Sequence, residues 1–296
     1  MIESEQYMEI NGAELYVARM GMDHARTIVF LHGGPGLGDS RADIATFEPL
    51  AKDFHLVFLD LRGSGKSSET PPFTHEQWVE DIEQLRSSLG LGKIILHGSS
   101  YGGFLAQEYA ACYSENLEYL LLNVTTLDGT NDLKAIDNAK ASDRCQLADE
   151  DLQRLFSGKV ESNEDFYRLY AGILPLYMTK FDAERDQQKL KQIHFHYETH
   201  NAAFRGLVHY DMSSKLPHIE TPTLITAGEL DWITPADCAK QIHTHMPNSA
   251  LVIFHGSGHS LVREESSLYL DLVKAFTEGR VETANRIYDS RRVLHV

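Results

Sequence analysis

Short, wholly apolar runs recur along the chain, each breaking into a glycine-bearing polar stretch, and longer stretches of helical periodicity lie between them. "TIVFLHGG" (27–34), "HLVFLDLRGSGKSS" (55–68), "KIILHGSSYGG" (93–103), "LEYLLLNVT" (117–125), "TPTLITAGELDWITP" (221–235) and "ALVIFHGSGHS" (250–260) all follow this plan. Apolar runs without alternation mark strands covered on both faces, as in a parallel sheet sandwiched by helices. The chain opens differently, on two alternating segments, Met8 to Ile10 and Glu14 to Met20, around Asn11-Gly12. That pattern predicts a hairpin. "THEQWVEDIEQLRSSLGL" (74–91) reads as an amphipathic helix, with Thr74 placed to cap its start and Gly90 near its end. Further helices are predicted after Gly102 and over Glu264 to Glu278.

From about Asp128 to Lys215 the rhythm changes to polar, helical and aromatic, with no strong strand. The pattern predicts an α/β core over 1–127 and 216–296, a mostly parallel sheet flanked by helices, with a helical cap, 128–215, inserted after the sixth strand. The tail "GRVETANRIYDSRRVLHV" carries no assignable pattern.

The strand-to-helix junction at 97–103, "HGSSYGG", sets two serines side by side. A serine hydroxyl is a poor nucleophile unless it is held clear of its neighbours and handed to a base. A strained G-x-S-x-G turn does the first, and only Gly98, Ser100 and Gly102 fit that frame. Acid and base should follow in chain order, in loops at the ends of later strands. Asp231, three residues past Gly228, and His259, in a glycine-flanked loop, satisfy this. Asp237 falls inside the next helix and His255 still belongs to its strand, so both are weaker candidates. Ser100 is thus read as the attacking group, His259 as the base and Asp231 as its orienting acid. The oxyanion donors expected are the N–H of Tyr101 and that of Gly34, in "HGGPG" (32–36).

Charge narrows the ligand. The 296 residues carry a formal net charge of −16, which disfavours nucleic acid and anionic membrane and suits neutral or cationic ligands; the partner expected is a small-molecule substrate. The acidic start "MIESEQYMEI" is no secretory signal and no apolar run is long enough to span a membrane. Cys112, Cys145 and Cys238 are scattered and odd in number, as in a reducing cytoplasm. No cofactor is implied. "DLRGSGKSS" fails the phosphate-loop pattern because Asp60 stands where glycine is required. His196 and His200, four apart in "HFHYETH", could share a helix face, but no third ligand is evident and no metal is assigned.

Together "HGGPG", "LDLRGSGKSS", "GSSYGG", "GELDWITP" and "GSGH" resemble, in order, the α/β-hydrolase superfamily and its proline iminopeptidase branch (peptidase family S33). The resemblance implies the hydrolase fold, the triad, and a structural turn at Asp60 and Arg62 bracing loops near the site. It also implies acidic side chains that hold a substrate ammonium, one from the cap and one just after the triad aspartate. Here Trp232 follows Asp231, and the cap reads "NAAF" (201–204). An ester or lactone hydrolase is therefore expected rather than an aminopeptidase, although Glu161, Glu164, Asp165 or Glu198 could supply the charge. Trp232, Tyr170, Leu174, Tyr177 and Phe204 are expected to wall a largely apolar substrate pocket. Serine-dependent macrolide esterases are similar in size and triad spacing, which extends the expectation to large lactones. The alternatives are a proline iminopeptidase and a non-catalytic small-molecule receptor of the same fold.

Overall fold

The computed structural model describes residues 1–283 and 286–290. Among the described residues nine strands form one sheet: β1 (Ser4–Ile10), β2 (Ala13–Met20), β3 (Thr27–Leu31), β4 (His55–Leu59), β5 (Ile94–Ser99), β6 (Leu117–Asn123), β7 (Thr223–Gly228), β8 (Ser249–Phe254) and β9 (Arg286–Asp289). Their order is β1-β2-β4-β3-β5-β6-β7-β8-β9. The opening hairpin joins antiparallel, β1 to β2 and β2 to β4, and every later pairing is parallel. The wholly buried strands β3 and β4 lie inside the sheet. β9, at the edge, falls in the tail that carried no assignable pattern; Arg-Ile-Tyr-Asp is half exposed and contains no apolar run. The core span 216–296 also includes 284–285 and 291–296, which lie outside the described residues.

Each sheet face has its own core. One packs Trp78, Ile82, Leu85, Leu105 and Tyr109 from the helices over 75–88 and 101–113. The other gathers Phe30, Phe47, Phe58, Phe254, Tyr269 and Phe276. Thr74 caps the first of those helices, its hydroxyl accepting from the Gln77 N–H. The buried Arg62 guanidinium, in the loop after β4, grips the Asp81 carboxylate of the helix over 75–88 with two bonds of 2.7 and 2.8 Å.

The cap has five helices, over 131–141, 149–156, 163–173, 183–190 and 197–206. They enclose a third apolar cluster around Leu152, Leu155, Phe166 and Leu169. Its two chain crossings are stitched together at the base: Asp128 bridges Asp211, the Met212 N–H donates to the Leu127 carbonyl, and that of Gly129 to the Tyr210 carbonyl. A short chain closure thus holds an insertion of more than eighty residues over the carboxyl ends of the strands, where ligands of open α/β sheets bind.

Candidate active site

Ser100 sits at the tip between β5 and the helix over 101–113, with φ +53° and ψ −118°. This sparsely populated conformation is the strained turn that the motif requires. Its glycines answer to close packing: a Cβ on Gly98 would strike the Gly102 carbonyl, and one on Gly102 the Leu31 carbonyl. The neighbouring Ser99 hydroxyl is engaged instead with the Asn123 side-chain amide, from which it accepts at 2.9 Å.

His259 Nε2 stands 3.1 Å from Ser100 Oγ, and its Nδ1 stands 2.7 Å from Asp231 Oδ2. Asp231 in turn accepts from the Ile233 and Thr234 N–H groups and from the Thr234 hydroxyl. The carboxylate is buried yet fully partnered, which aims it at the imidazole. Glu264, which sequence reasoning missed, fixes the His259 loop by accepting from the Gly258 N–H at 2.7 Å. Its other oxygen accepts from the N–H and hydroxyl of Thr179 in the cap. The weaker candidates are engaged elsewhere: Asp237 with Lys240, and His255 with Glu229 and Asp289.

The glycine loop after β3 presses on this group. A Cβ on Gly33 would lie 2.9 Å from the Ser100 Cβ, while Gly34, at φ +63°, turns the chain. His32 sets the loop: its Nε2 accepts from the Leu61 N–H at 3.0 Å, so Nδ1 carries the proton and donates to the Gly33 carbonyl at 2.9 Å. The Gly33–Gly34 peptide plane is thereby fixed.

Ser100, Tyr101, Gly34 and His259 all open onto a cavity of about 250 Å³ between core and cap. The sequence of the alpha/beta hydrolase fold family matches residues 26–266. A proline iminopeptidase from Pestalotiopsis fici, PfmaB, is 31% identical over 278 residues, covering 92% of this chain and 99% of that protein. The chain belongs to the α/β-hydrolase fold family, in its proline iminopeptidase-like branch. A proline iminopeptidase from Saccharolobus solfataricus is 28% identical over 93% of this α/β-hydrolase and 92% of its own length. Among solved structures, an esterase from Exiguobacterium antarcticum superposes with a TM-score of 0.75 at 21% identity, covering 93% of this chain and all of that one. An enol-lactonase from Burkholderia xenovorans gives 0.73 at 20%, with 92% and 100% covered. At these identities the structures speak for the fold alone.

The walls of this α/β-hydrolase cavity correct two expectations. Tyr170, Tyr177 and Phe204 line it, but Trp232 and Leu174 do not. Trp232 packs edge-on behind Phe156 and Tyr177, with ring centroids 6.2 and 5.6 Å away, one layer back from the lumen. Leu174 opens the 3₁₀ turn Leu174–Leu176 and packs into the cap's own apolar cluster. Asn201 is likewise structural, bonding the Val160 N–H and carbonyl. The four cap carboxylates also lie outside the lining, Glu161 and Asp165 being paired with Arg154.

The wall also holds polar groups that were not foreseen, among them Asp43, Asp132, His200 and Arg263. Asp43 and Asp132 are partly enclosed, and desolvation pushes both carboxyls up to about 7. Among the described residues Asp43 Oδ2 has no hydrogen-bond partner. His200, 2% exposed, donates from Nε2 to the Leu155 carbonyl at 2.9 Å, which leaves Nδ1 an acceptor without a hydrogen-bond partner among the described residues. Burial between Phe166 and Phe204 pushes its pKa down to about 4, so the ring is neutral at pH 7. His196 and His200 therefore do not share a ligand face; His196 instead meets Glu69 and His194 at the cap–core seam. The signal available for Asp43 was its place in the helix that follows the glycine loop. For Asp132 and His200 it was only their membership of a helical insertion.

Proposed function

We propose that this protein is a serine hydrolase that cleaves a carboxylic ester or lactone through an acyl-enzyme on Ser100. The observation that carries this reading is the Ser100–His259–Asp231 relay, with distances of 3.1 and 2.7 Å, on the floor of an aromatic cavity. Ser100 Oγ attacks the carbonyl carbon as His259 Nε2 takes its proton, and Asp231 stabilises the imidazolium. The N–H groups of Gly34 and Tyr101 receive the oxyanion, each contributing about 3–4 kcal/mol to the barrier reduction. Collapse expels the alkoxy group, which takes the proton from His259. A water activated by the same imidazole then hydrolyses the acyl-enzyme and regenerates the hydroxyl.

An ester is favoured over a peptide because the cap carboxylates considered for an ammonium lie outside the lining and Glu161 and Asp165 are already paired. The cavity volume, about 250 Å³, lies just below the ~300–1,000 Å³ usual for drug-sized ligands. Paired kinetics test the reading. p-Nitrophenyl butyrate should turn over in a Ser100-dependent way while proline p-nitroanilide is scarcely cleaved. Efficient, Ser100-dependent release of p-nitroaniline would replace ester hydrolysis by aminopeptidase activity.

That second reading has its own support in Asp43 and Asp132, the two wall carboxylates. It carries a distinct pH signature. Both groups are mostly neutral below about 7 and anionic above it, so an ammonium substrate would gain attraction as pH rises. The KM for proline p-nitroanilide should then fall through pH 7 while that for the neutral butyrate ester stays flat. Asp43→Asn should flatten the anilide profile if Asp43 receives the amine. Parallel profiles for the two substrates in the wild type would remove these carboxylates from amine recognition.

A further inference from the structure

We propose that Glu69, His194 and His196 form a binding site for a divalent transition-metal ion, zinc by its donor set, that clamps the cap to the core. Glu69 lies in the core segment that follows the Asp60–Ser68 loop, and the two histidines lie in the cap between the helices over 183–190 and 197–206. The closure of the cap is what brings the three together. One imidazole nitrogen from each histidine and a Glu69 oxygen all lie within 4.8 Å of one another. His196 Nε2 is in contact with Glu69 Oε1, and His194 Nε2 is 3.5 Å from the same oxygen.

Two imidazoles and one carboxylate, with room for water as a fourth ligand, are a donor set that zinc takes readily. Ligand atoms about 2.0–2.1 Å from a tetrahedral ion stand roughly 3.3 Å apart, so small rotations of the exposed Glu69 and His194 side chains complete the geometry. The buried partner is pre-set. His196 is held by its Nδ1 against Thr199 Oγ1 at 3.3 Å, which turns Nε2 toward Glu69. The two histidine rings lie nearly parallel, 20° apart, and present their nitrogens to one side.

The seam here has no slack. The His196 N–H donates to the Gly36 carbonyl at 2.6 Å, and the Gly36 N–H donates to Ser64 Oγ. A Cβ on Gly36 would strike the His196 carbonyl, and one on Gly63 would strike Thr199 Oγ1. Gly36 ends the glycine loop that packs against Ser100, so an ion at this seam holds the cap one hydrogen bond from the catalytic loop. Because it binds only when cap and core are docked, it stabilises the folded state by mass action.

The test is titration of the EDTA-stripped, dialysed full-length protein with zinc chloride, by calorimetry and by thermal melting. One equivalent should bind and raise the Tm. His194→Ala and Glu69→Gln alter exposed side chains, so both should fold, bind zinc at least tenfold more weakly and lose the Tm rise. Variants that titrate like the wild type would place the ion on other histidines. A wild type with no saturable binding and an unchanged Tm would leave an ion pair only. Either result overturns the site, and neither depends on whether the protein turns over esters.

Discussion

Ser100→Ala should lower ester turnover by about 10⁴- to 10⁶-fold without unfolding the protein. In a triad that acts as a unit, loss of the serine costs nearly as much as loss of the whole relay, and the residual rate comes from the oxyanion donors and binding. The geometry argues for a unit here, because Oγ, Nε2, Nδ1 and Oδ2 follow one another at 3.1 and 2.7 Å. Alanine inherits the same φ of +53° that serine already tolerates, so the substitution adds no new backbone strain. It removes one oxygen from a cavity wall, and the Tm should move by no more than about 2–4 °C, the shift of ~1 kcal/mol in a chain of this size class. The decisive measurement is kcat on p-nitrophenyl butyrate, with melting curves as control. Retention of a tenth or more of the activity would remove Ser100 as the nucleophile. A companion Asp231→Asn should cost about 10⁴-fold, since the amide no longer enforces the proton on Nδ1.

The parts of this site that were legible in the sequence are those written locally. G-x-S-x-G at a strand end fixes the Ser100 turn within five residues, and His259 and Asp231 each follow a recognisable strand. The bracing role that the family resemblance implied for Asp60 has matching contacts: Oδ1 accepts from the Ser40 N–H and Oδ2 from that of Lys66. What sequence could not reach depends on where the cap comes to rest. Whether Trp232 faces the lumen turns on the tight loop in which Asp231 accepts from the Ile233 and Thr234 N–H groups, and that loop sends the indole behind Phe156 and Tyr177. Asp43 and His200 lie more than 150 positions apart and share one cavity only because core and cap dock. β9 escaped for a different reason. An edge strand needs only its backbone to pair, here Ala250 with Arg286 through Ile253 with Asp289, so its side chains need not be apolar.

The largest stability effect should come from breaking the Arg62–Asp81 pair. Both side chains are 1% exposed, so each charge has been taken fully out of water. Asp81 is satisfied from four directions: twice by Arg62, and by the side-chain amides of Asn11 and Gln77 at 3.0 Å. Arg62 also donates to the Thr70 and Asn11 carbonyls, and its own carbonyl accepts from the Trp78 indole. The network therefore ties the opening hairpin, the loop after β4 and the helix over 75–88 into one unit. Asp81→Ala leaves a buried guanidinium without its counter-charge, and should cost about 3–5 kcal/mol in urea unfolding. The double variant Arg62→Leu, Asp81→Leu removes both charges and should recover much of that loss, because an apolar pair of comparable volume needs no compensation. A single variant within 1 kcal/mol of the wild type would mean that water reaches the guanidinium. A double variant no better than the single one would assign the cost to the lost hydrogen bonds of Asn11, Gln77 and the backbone carbonyls. In that case the pair acts chiefly as a geometric clamp on the hairpin, with its charges contributing little to the net stability.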